Sequence, residues 1–102
     1  MNFKEIQQLV YEEYVKNKFQ ENWEKQGSFG DFKEFAKVAE EVFEGLDEIS
    51  KNDLPKLRFE CADIVIRIMN FCTRKGIDLE HIIKEKNRIN LNREELHGEK
   101  VI

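Results

Sequence analysis

The sequence has few of the residues that interrupt helices. Its 102 residues include one proline and five glycines, whereas 37% are charged and 40% are hydrophobic. All-β domains need many turns rich in glycine and proline, and disordered chains contain fewer apolar residues than this one. The composition therefore predicts an all-α protein. A chain of this length has room for one domain with a modest core, so we expect residues 1–102 to form a single domain.

The chain also lacks the features of proteins that bind nucleic acids or cross membranes. Its net charge is −4 and charges of both signs are mixed along it, so there is no basic stripe to follow a nucleic-acid backbone. No apolar run approaches the roughly 20 residues that span a bilayer. The N-terminal segment is charged and lacks the apolar core of a secretory signal. We therefore expect no nucleic-acid partner and no membrane partner.

Cysteine is scarce, and the cysteines present cannot pair within the chain. Cys61 and Cys72 fall in one predicted helix, and the helical rise places them about 16 Å apart, too far for a disulfide. We expect both to be reduced core residues, which is typical of a cytoplasmic protein.

Three breaks divide the chain into four predicted helices. The breaks lie at Gly27–Gly30, at Asn52–Pro55 and at Gly76. Asp31 and Glu34 have the spacing of a capping box that would start the second helix. The first two helices are predicted from about Asn2 to Gln26 and from about Phe32 to Lys51. The third starts after Asp53 and ends at Gly76 as a C′ glycine, and the fourth starts after Asp78 and runs to about Arg93.

The second predicted helix has two contrasting faces. One face is an apolar stripe at helical spacing, made of Phe32, Phe35, Ala39, Val42, Leu46 and Ile49. Glu41, Glu44 and Glu48 lie on nearly the opposite side. Taken alone, these acidic residues are typical of a solvated face on an ordinary amphipathic helix.

The third predicted helix is apolar around most of its circumference. Such a helix is buried or enclosed by partners, and three further helices of one small chain cannot cover it well, so we expect at least a homodimer. Its narrow polar seam contains Glu60 and Asp63, whose carboxylates lie side by side. Two buried anions need a cation. That cation is either Arg67, in an intrahelical pair with Asp63, or a divalent metal.

On the inward face of the fourth predicted helix, the residues change from apolar to polar along the chain. Leu79, Ile82 and Ile83 begin the stripe, and Lys86, Asn90 and Arg93 continue it at helical spacing. These polar residues are either side chains snorkelling at the end of the helix or a clamp for phosphate oxygens opposite the carboxylates.

In chain order the motifs are Glu41-x-x-Glu44, Glu60-x-x-Asp63 and Lys86-x-x-x-Asn90-x-x-Arg93. This order resembles the MazG-like, all-α nucleoside-triphosphate pyrophosphatase superfamily. The resemblance extends from Lys37 through Gly76–Leu79 to the tail His97–Lys100. It implies a four-helix fold completed by homo-oligomerisation, as a homodimer or homotetramer, and a hydrolase acting on phosphorus-containing anhydrides. The expected reaction converts a (d)NTP into a (d)NMP and pyrophosphate, in a house-cleaning role against non-standard or excess dNTPs.

The same resemblance assigns roles to residues. It implies that Glu41, Glu44, Glu60 and Asp63 bind Mg²⁺, which Mn²⁺ could replace, and that substrate is bound by Lys86, Asn90, Arg93 and, by stacking on the base, Trp23. Mg²⁺ prefers hard oxygen ligands, and Glu41 or Glu44 could accept a proton from the attacking water.

Two positions depart from the family pattern. Phe43 replaces a small residue before Glu44, and Phe59 replaces an acidic residue that often precedes the second motif. The loss of that carboxylate leaves the number of bound metals open. A phosphoribosyl-ATP pyrophosphohydrolase-like relative and a non-catalytic helical interaction module are the alternative interpretations.

Overall fold

The structure, a computed structural model, describes residues 1–97, with side chains for residues 1–93. This part of the chain is all-helical, as the composition predicted, and contains no strand. The tail motif His97–Lys100 lies outside the described side chains. The four helices are α1 Phe3–Lys16, α2 Phe19–Ser50, α3 Leu54–Arg74 and α4 Leu79–His97.

Helix α1 is shorter than predicted. It starts with a capping box, in which Asn2 and Glu5 each accept a hydrogen bond from the other's backbone N–H. It ends at Asn17 because Lys18 adopts a left-handed conformation with φ of 63°. The prediction of one helix as far as Gln26 was therefore wrong: the segment beyond Lys18 belongs to α2. No glycine or proline marks this turn.

Helix α2 contains the first predicted break as a kink. Gly27 has φ of 57° and ψ of −130°, which glycine adopts easily, and helical geometry resumes directly after it. Asp31 consequently lies inside the helix, and its predicted role as an N-cap was wrong. Its carboxylate instead accepts hydrogen bonds from Trp23 Nε1 at 2.6 Å and Lys75 Nζ at 2.7 Å.

The predicted boundaries of α3 are confirmed. The Asp53 carboxylate accepts a hydrogen bond from the backbone N–H of Lys56, and Pro55 occupies the first turn, where its missing N–H costs nothing. Gly76, with φ of 74°, follows the end of the helix. Helix α4 begins after Asp78, as expected, and continues beyond the predicted end at Arg93 to His97.

The faces of α2 are reversed relative to the amphipathic expectation. Helix α2 packs mainly on α3, and α1 packs across α3. The side of α2 that meets α3 carries Glu41, Gly45 and the half-buried Glu48, whereas the apolar stripe from Phe32 to Ile49 is largely exposed. Glu41 and Glu48 therefore lie on the packed side of α2, whereas Glu44 is exposed to solvent.

The hydrophobic core of the described chain is small. Its buried apolar side chains are Trp23, Met69 and Cys72. Cys61 is exposed, which corrects the expectation that both cysteines are core residues. The radius of gyration is 16.2 Å, compared with about 13 Å for a compact domain of this length. One chain alone thus forms an open arrangement of helices.

None of the described helices is both long enough and apolar enough to cross a bilayer.

Candidate metal centre

The close approach of α2 and α3 brings the acidic motifs together. Gly45 is buried at the crossing, and a Cβ at that position would lie 3.7 Å from Leu57 and 3.9 Å from the Cβ of Glu60. A large side chain there would push the helices apart. Glu41, one turn earlier on α2, therefore faces Glu60 and Asp63 on α3.

Three carboxylates converge at this crossing. Glu41, Glu60 and Asp63 each place one oxygen within 4.8 Å of the other two. Glu41 is only 9% exposed, and the buried Oε2 of Glu60 has no hydrogen-bond partner among the described residues. Such an arrangement is unfavourable without a positive charge to compensate it.

Glu44, one turn after Glu41 on α2, is exposed and is not one of the three residues that converge within 4.8 Å. Its influence on the site is seen in the pKa of Glu60. Partial burial, then the hydrogen bond and negative charge of Glu44, and then those of Glu41, raise the pKa of Glu60 to about 7. A site that stabilises a proton against neighbouring carboxylates can instead stabilise a metal ion, so the residues fit a divalent metal held by carboxylate oxygens.

Arg67 pairs with Glu41 in the structure and not with Asp63, the partner that its spacing on α3 suggested. Its Nε donates to Oε1 of Glu41 at 3.1 Å, across the interface between α3 and α2. The intrahelical pair with Asp63 does not form in this structure. Arg67 therefore holds Glu41 in place, and Glu60 has no cationic partner among the described residues.

A cleft of about 620 Å³ opens beside the carboxylates. Glu41, Asp63 and Arg67 lie on its wall, together with Lys37 of α2. A cleft with carboxylates and cations on one wall can accommodate an anion bound through a metal.

Part of the lining of the cleft comes from α1, which nothing in the sequence connected with the site. The Tyr14 hydroxyl donates to Oε1 of Glu34 at 3.3 Å, and Lys37 Nζ pairs with Oε2 of Glu34 at 2.8 Å. Burial, followed by the negative charge of Glu34, raises the pKa of Tyr14 well above its usual value, so the phenol stays protonated. Nothing in the spacing of Tyr14 and Glu34 indicated this contact, because it depends on how α1 packs.

The residues predicted to bind substrate are not gathered at this cleft. Helix α4 packs mainly against α1, and neither Lys86, Asn90 nor Arg93 lines the cleft. Trp23 is 3% exposed and stacks on Phe71 with ring centroids 5.8 Å apart. Its stacking on a base stays a prediction, and would require the ring to leave this packing.

The fold and the site together define an all-helical protein in which two adjacent helices bring together three carboxylates that could hold a metal ion, beside an open cleft. A family model describing the MazG nucleotide pyrophosphohydrolase domain matches residues 33–94, and the chain belongs to this family. The matched segment contains all four carboxylates as well as Lys86, Asn90 and Arg93. Neither a search of curated proteins nor a search of solved structures gave a match.

Proposed function

We propose that the protein is a Mg²⁺-dependent nucleoside-triphosphate pyrophosphohydrolase that converts (d)NTPs into (d)NMPs and pyrophosphate. One observation carries this proposal: oxygens of Glu41, Glu60 and Asp63 converge within 4.8 Å at the edge of a cleft. Membership of the MazG family supports pyrophosphohydrolase chemistry. We further propose that the enzyme removes non-standard or excess dNTPs in the cytoplasm and that residues 1–102 form one domain.

The four carboxylates would hold the metal. Oxygens of Glu41, Glu60 and Asp63 already lie within 4.8 Å of one another, and Glu44 would join them from the next turn of α2. All four offer the hard oxygen ligands that Mg²⁺ prefers, and Mn²⁺ could replace it. The bound ion would neutralise phosphate charge and orient a water.

The reaction follows from a nucleophile activated next to the carboxylates. Water attacks the α-phosphorus, and the bond from that phosphorus to the oxygen bridging the β-phosphorus breaks. The proton of the water passes to Glu41 or Glu44. Lys37 and Arg67, on the same wall of the cleft, lie where they can bind phosphate oxygens.

We propose that the active form is a homodimer or homotetramer in which the helices of two chains enclose the site. The accessible surface is 7755 Å², about 1,700 Å² more than a folded monomer of this mass exposes. A standard interface removes about 800 Å² from each partner, so the surplus is enough for a stable association. Lys86, Asn90 and Arg93 would then bind substrate at a cleft formed with another chain.

Two other functions are distinguishable from this one. A phosphoribosyl-ATP pyrophosphohydrolase-like relative would share the carboxylates and differ in the cleft. A non-catalytic interaction module would leave the acidic faces in solvent, and the burial of Glu41 against α3 argues against it.

The proposal is tested by incubating the protein with a panel of NTPs and dNTPs, with and without Mg²⁺, and measuring pyrophosphate and orthophosphate separately. We expect metal-dependent release of pyrophosphate. Release of orthophosphate alone would show attack at another phosphorus. If no nucleotide is cleaved, phosphoribosyl-ATP becomes the next substrate to test.

A further inference from the structure

The cleft contains a buried side chain that the proposed chemistry does not use. Asn70 of α3 lines the cleft, is only 7% exposed, and its Oδ1 has no hydrogen-bond partner among the described residues. Buried amides are normally paired, because a polar group removed from water without a partner destabilises the fold. A ligand in the cleft would supply that partner.

Asn70 lies at a definite distance from the metal centre. Asp63, Arg67 and Asn70 are spaced i, i+4 and i+7, so they share one face of α3. The helical rise separates Asp63 from Asn70 by about 10 Å along the axis. A nucleoside monophosphate spans a comparable distance from its 5′-phosphate to the far edge of its base. A nucleotide with its phosphates near Asp63 is therefore long enough for its base to reach Asn70.

The α1–α2 turn provides flat apolar surfaces at the same cleft. Tyr14 and Phe19 both line it, with ring centroids 5.6 Å apart, and Phe19 is 61% exposed. Aromatic rings offer faces on which any nucleobase can stack, without distinguishing one base from another. Discrimination between bases then depends on a hydrogen-bonding group near these rings.

We propose that Asn70 is a specificity-determining residue that recognises the nucleobase of the substrate through its side-chain amide. This assignment rests on the proposed nucleotide hydrolysis and adds the part of the substrate that is recognised. An amide presents one donor beside one acceptor, and it pairs with a base edge that offers the complementary acceptor and donor. Rotation about the Cβ–Cγ bond exchanges the oxygen and nitrogen, so either can face the cleft.

Two substitutions of Asn70 give different expected results. Asn70→Leu keeps the branched arrangement of side-chain heavy atoms, although the side chain is larger, and removes both hydrogen bonds. The kcat/KM for the preferred nucleotide should therefore fall about 10- to 100-fold and the ranking of bases should flatten. Asn70→Asp leaves only acceptors. It should shift the preference towards guanine, whose N1–H and N2–H donors lie side by side. The same changes at the exposed Asn87 of α4 serve as controls and should leave the ranking unchanged.

The measurement combines turnover of ATP, CTP, GTP and UTP and their deoxy forms with calorimetric binding of the four nucleoside monophosphates. The rise in melting temperature caused by Mg²⁺ checks that each variant is folded; if Asn70→Leu is not, Asn70→Asp decides. If the wild type is active and folded Asn70 variants keep its ranking of bases, the role assigned to Asn70 is overturned. The proposed hydrolysis is not affected by that result. Base-selective binding without turnover, lost in Asn70→Leu, supports Asn70 and overturns the proposed hydrolysis. If the wild type neither hydrolyses nor binds any of these nucleotides, both proposals are overturned.

Discussion

Glu60 shows how a single side chain links the packing of the helices to the chemistry of the site. It is half-buried between α2 and α3, and its Oε2 has no hydrogen-bond partner among the described residues. Burial and the adjacent Glu44 and Glu41 raise its pKa to about 7. A carboxyl group that retains its proton because it is partly buried and lies among other carboxylates releases that proton when a metal ion binds.

This pKa predicts how pH affects the metal-free protein. The ordinary pKa is 4.5 and the folded value is about 7, so between these values the folded protein binds a proton that the unfolded chain does not. Raising the pH through this range therefore lowers the free energy of unfolding. We expect the melting temperature of metal-free wild type to fall between pH 5 and pH 7.5, measured in EDTA. Glu60→Gln should remove most of this fall.

Metal binding should show the opposite dependence on pH. The affinity for Mg²⁺ or Mn²⁺ is expected to rise as the pH approaches 7, and binding below pH 7 should release a proton. Titration calorimetry in buffers of different ionisation enthalpy measures that release. A metal affinity independent of pH between 5.5 and 7.5 would contradict the role of Glu60 as a ligand.

At the level of residues, the sequence predicted the acidic motifs but not their surroundings. The spacing of Glu60 and Asp63 within an apolar helix left a metal ion and Arg67 as alternative cations. The structure brings one oxygen of each, together with one of Glu41, within 4.8 Å of one another, although Asp63 is exposed. Asn70 lies on the same polar seam, seven residues after Asp63, and could have been found by extending that line. Tyr14 carried no comparable signal, since its contact with Glu34 arises from tertiary packing.

Helix α2 is the element in which local pattern and observed packing differ most. Gly27 predicted a break, but the helix resumes at once and Gly30 packs beneath the segment that precedes the kink. A Cβ at Gly30 would lie 2.5 Å from the carbonyl oxygen of Trp23 and 2.9 Å from its ring. The capping pattern at Asp31 was misleading because the carboxylate bonds the Trp23 indole instead.

The two buried glycines of α2 should respond oppositely to alanine. Alanine usually stabilises a helix interior by up to about 1 kcal/mol relative to glycine. Gly45→Ala would make only ordinary contacts, so we expect an unchanged or higher melting temperature. Gly30→Ala would collide with the backbone of Trp23 and should cost about 1–3 kcal/mol, lowering the melting temperature by several degrees. Calorimetry of both variants tests this, and equal stability of Gly30→Ala and wild type would contradict the kinked packing.

In the molecule as a whole, α2 turns its acidic side, with Glu41, towards α3 and its apolar stripe outwards. The periodicity of α2 predicted an apolar stripe, but it could not say which side of the helix packs on α3. Within one chain α3 packs on the acidic side, and Phe32, Leu46 and Ile49 remain exposed. The same limit applies to α4, whose Lys86, Asn90 and Arg93 lie away from the cleft in a single chain.

If the site is shared between chains, mixing two inactive variants should restore activity. Asp63→Asn and Lys86→Ala should each be inactive alone. If one chain supplies the carboxylates and its partner supplies α4, a mixed dimer contains one intact site. Random exchange should then restore about a quarter of wild-type pyrophosphate release. Mixing that restores nothing, although light scattering and mass spectrometry confirm mixed dimers, would place the whole site in one chain. A monomer by light scattering at micromolar concentration would contradict the shared site directly.

The central claim is that the carboxylates at the α2–α3 crossing form the metal centre of a pyrophosphohydrolase. The most direct measurement compares Asp63→Asn with Asp47→Asn, the same change at an exposed α2 residue that pairs with Lys51 at 2.9 Å. Both variants should keep the helical content of the wild type by circular dichroism. We expect Asp63→Asn to lose Mg²⁺-dependent pyrophosphate release and the metal-induced rise in melting temperature, and Asp47→Asn to keep both. Wild-type turnover by Asp63→Asn would contradict the claim.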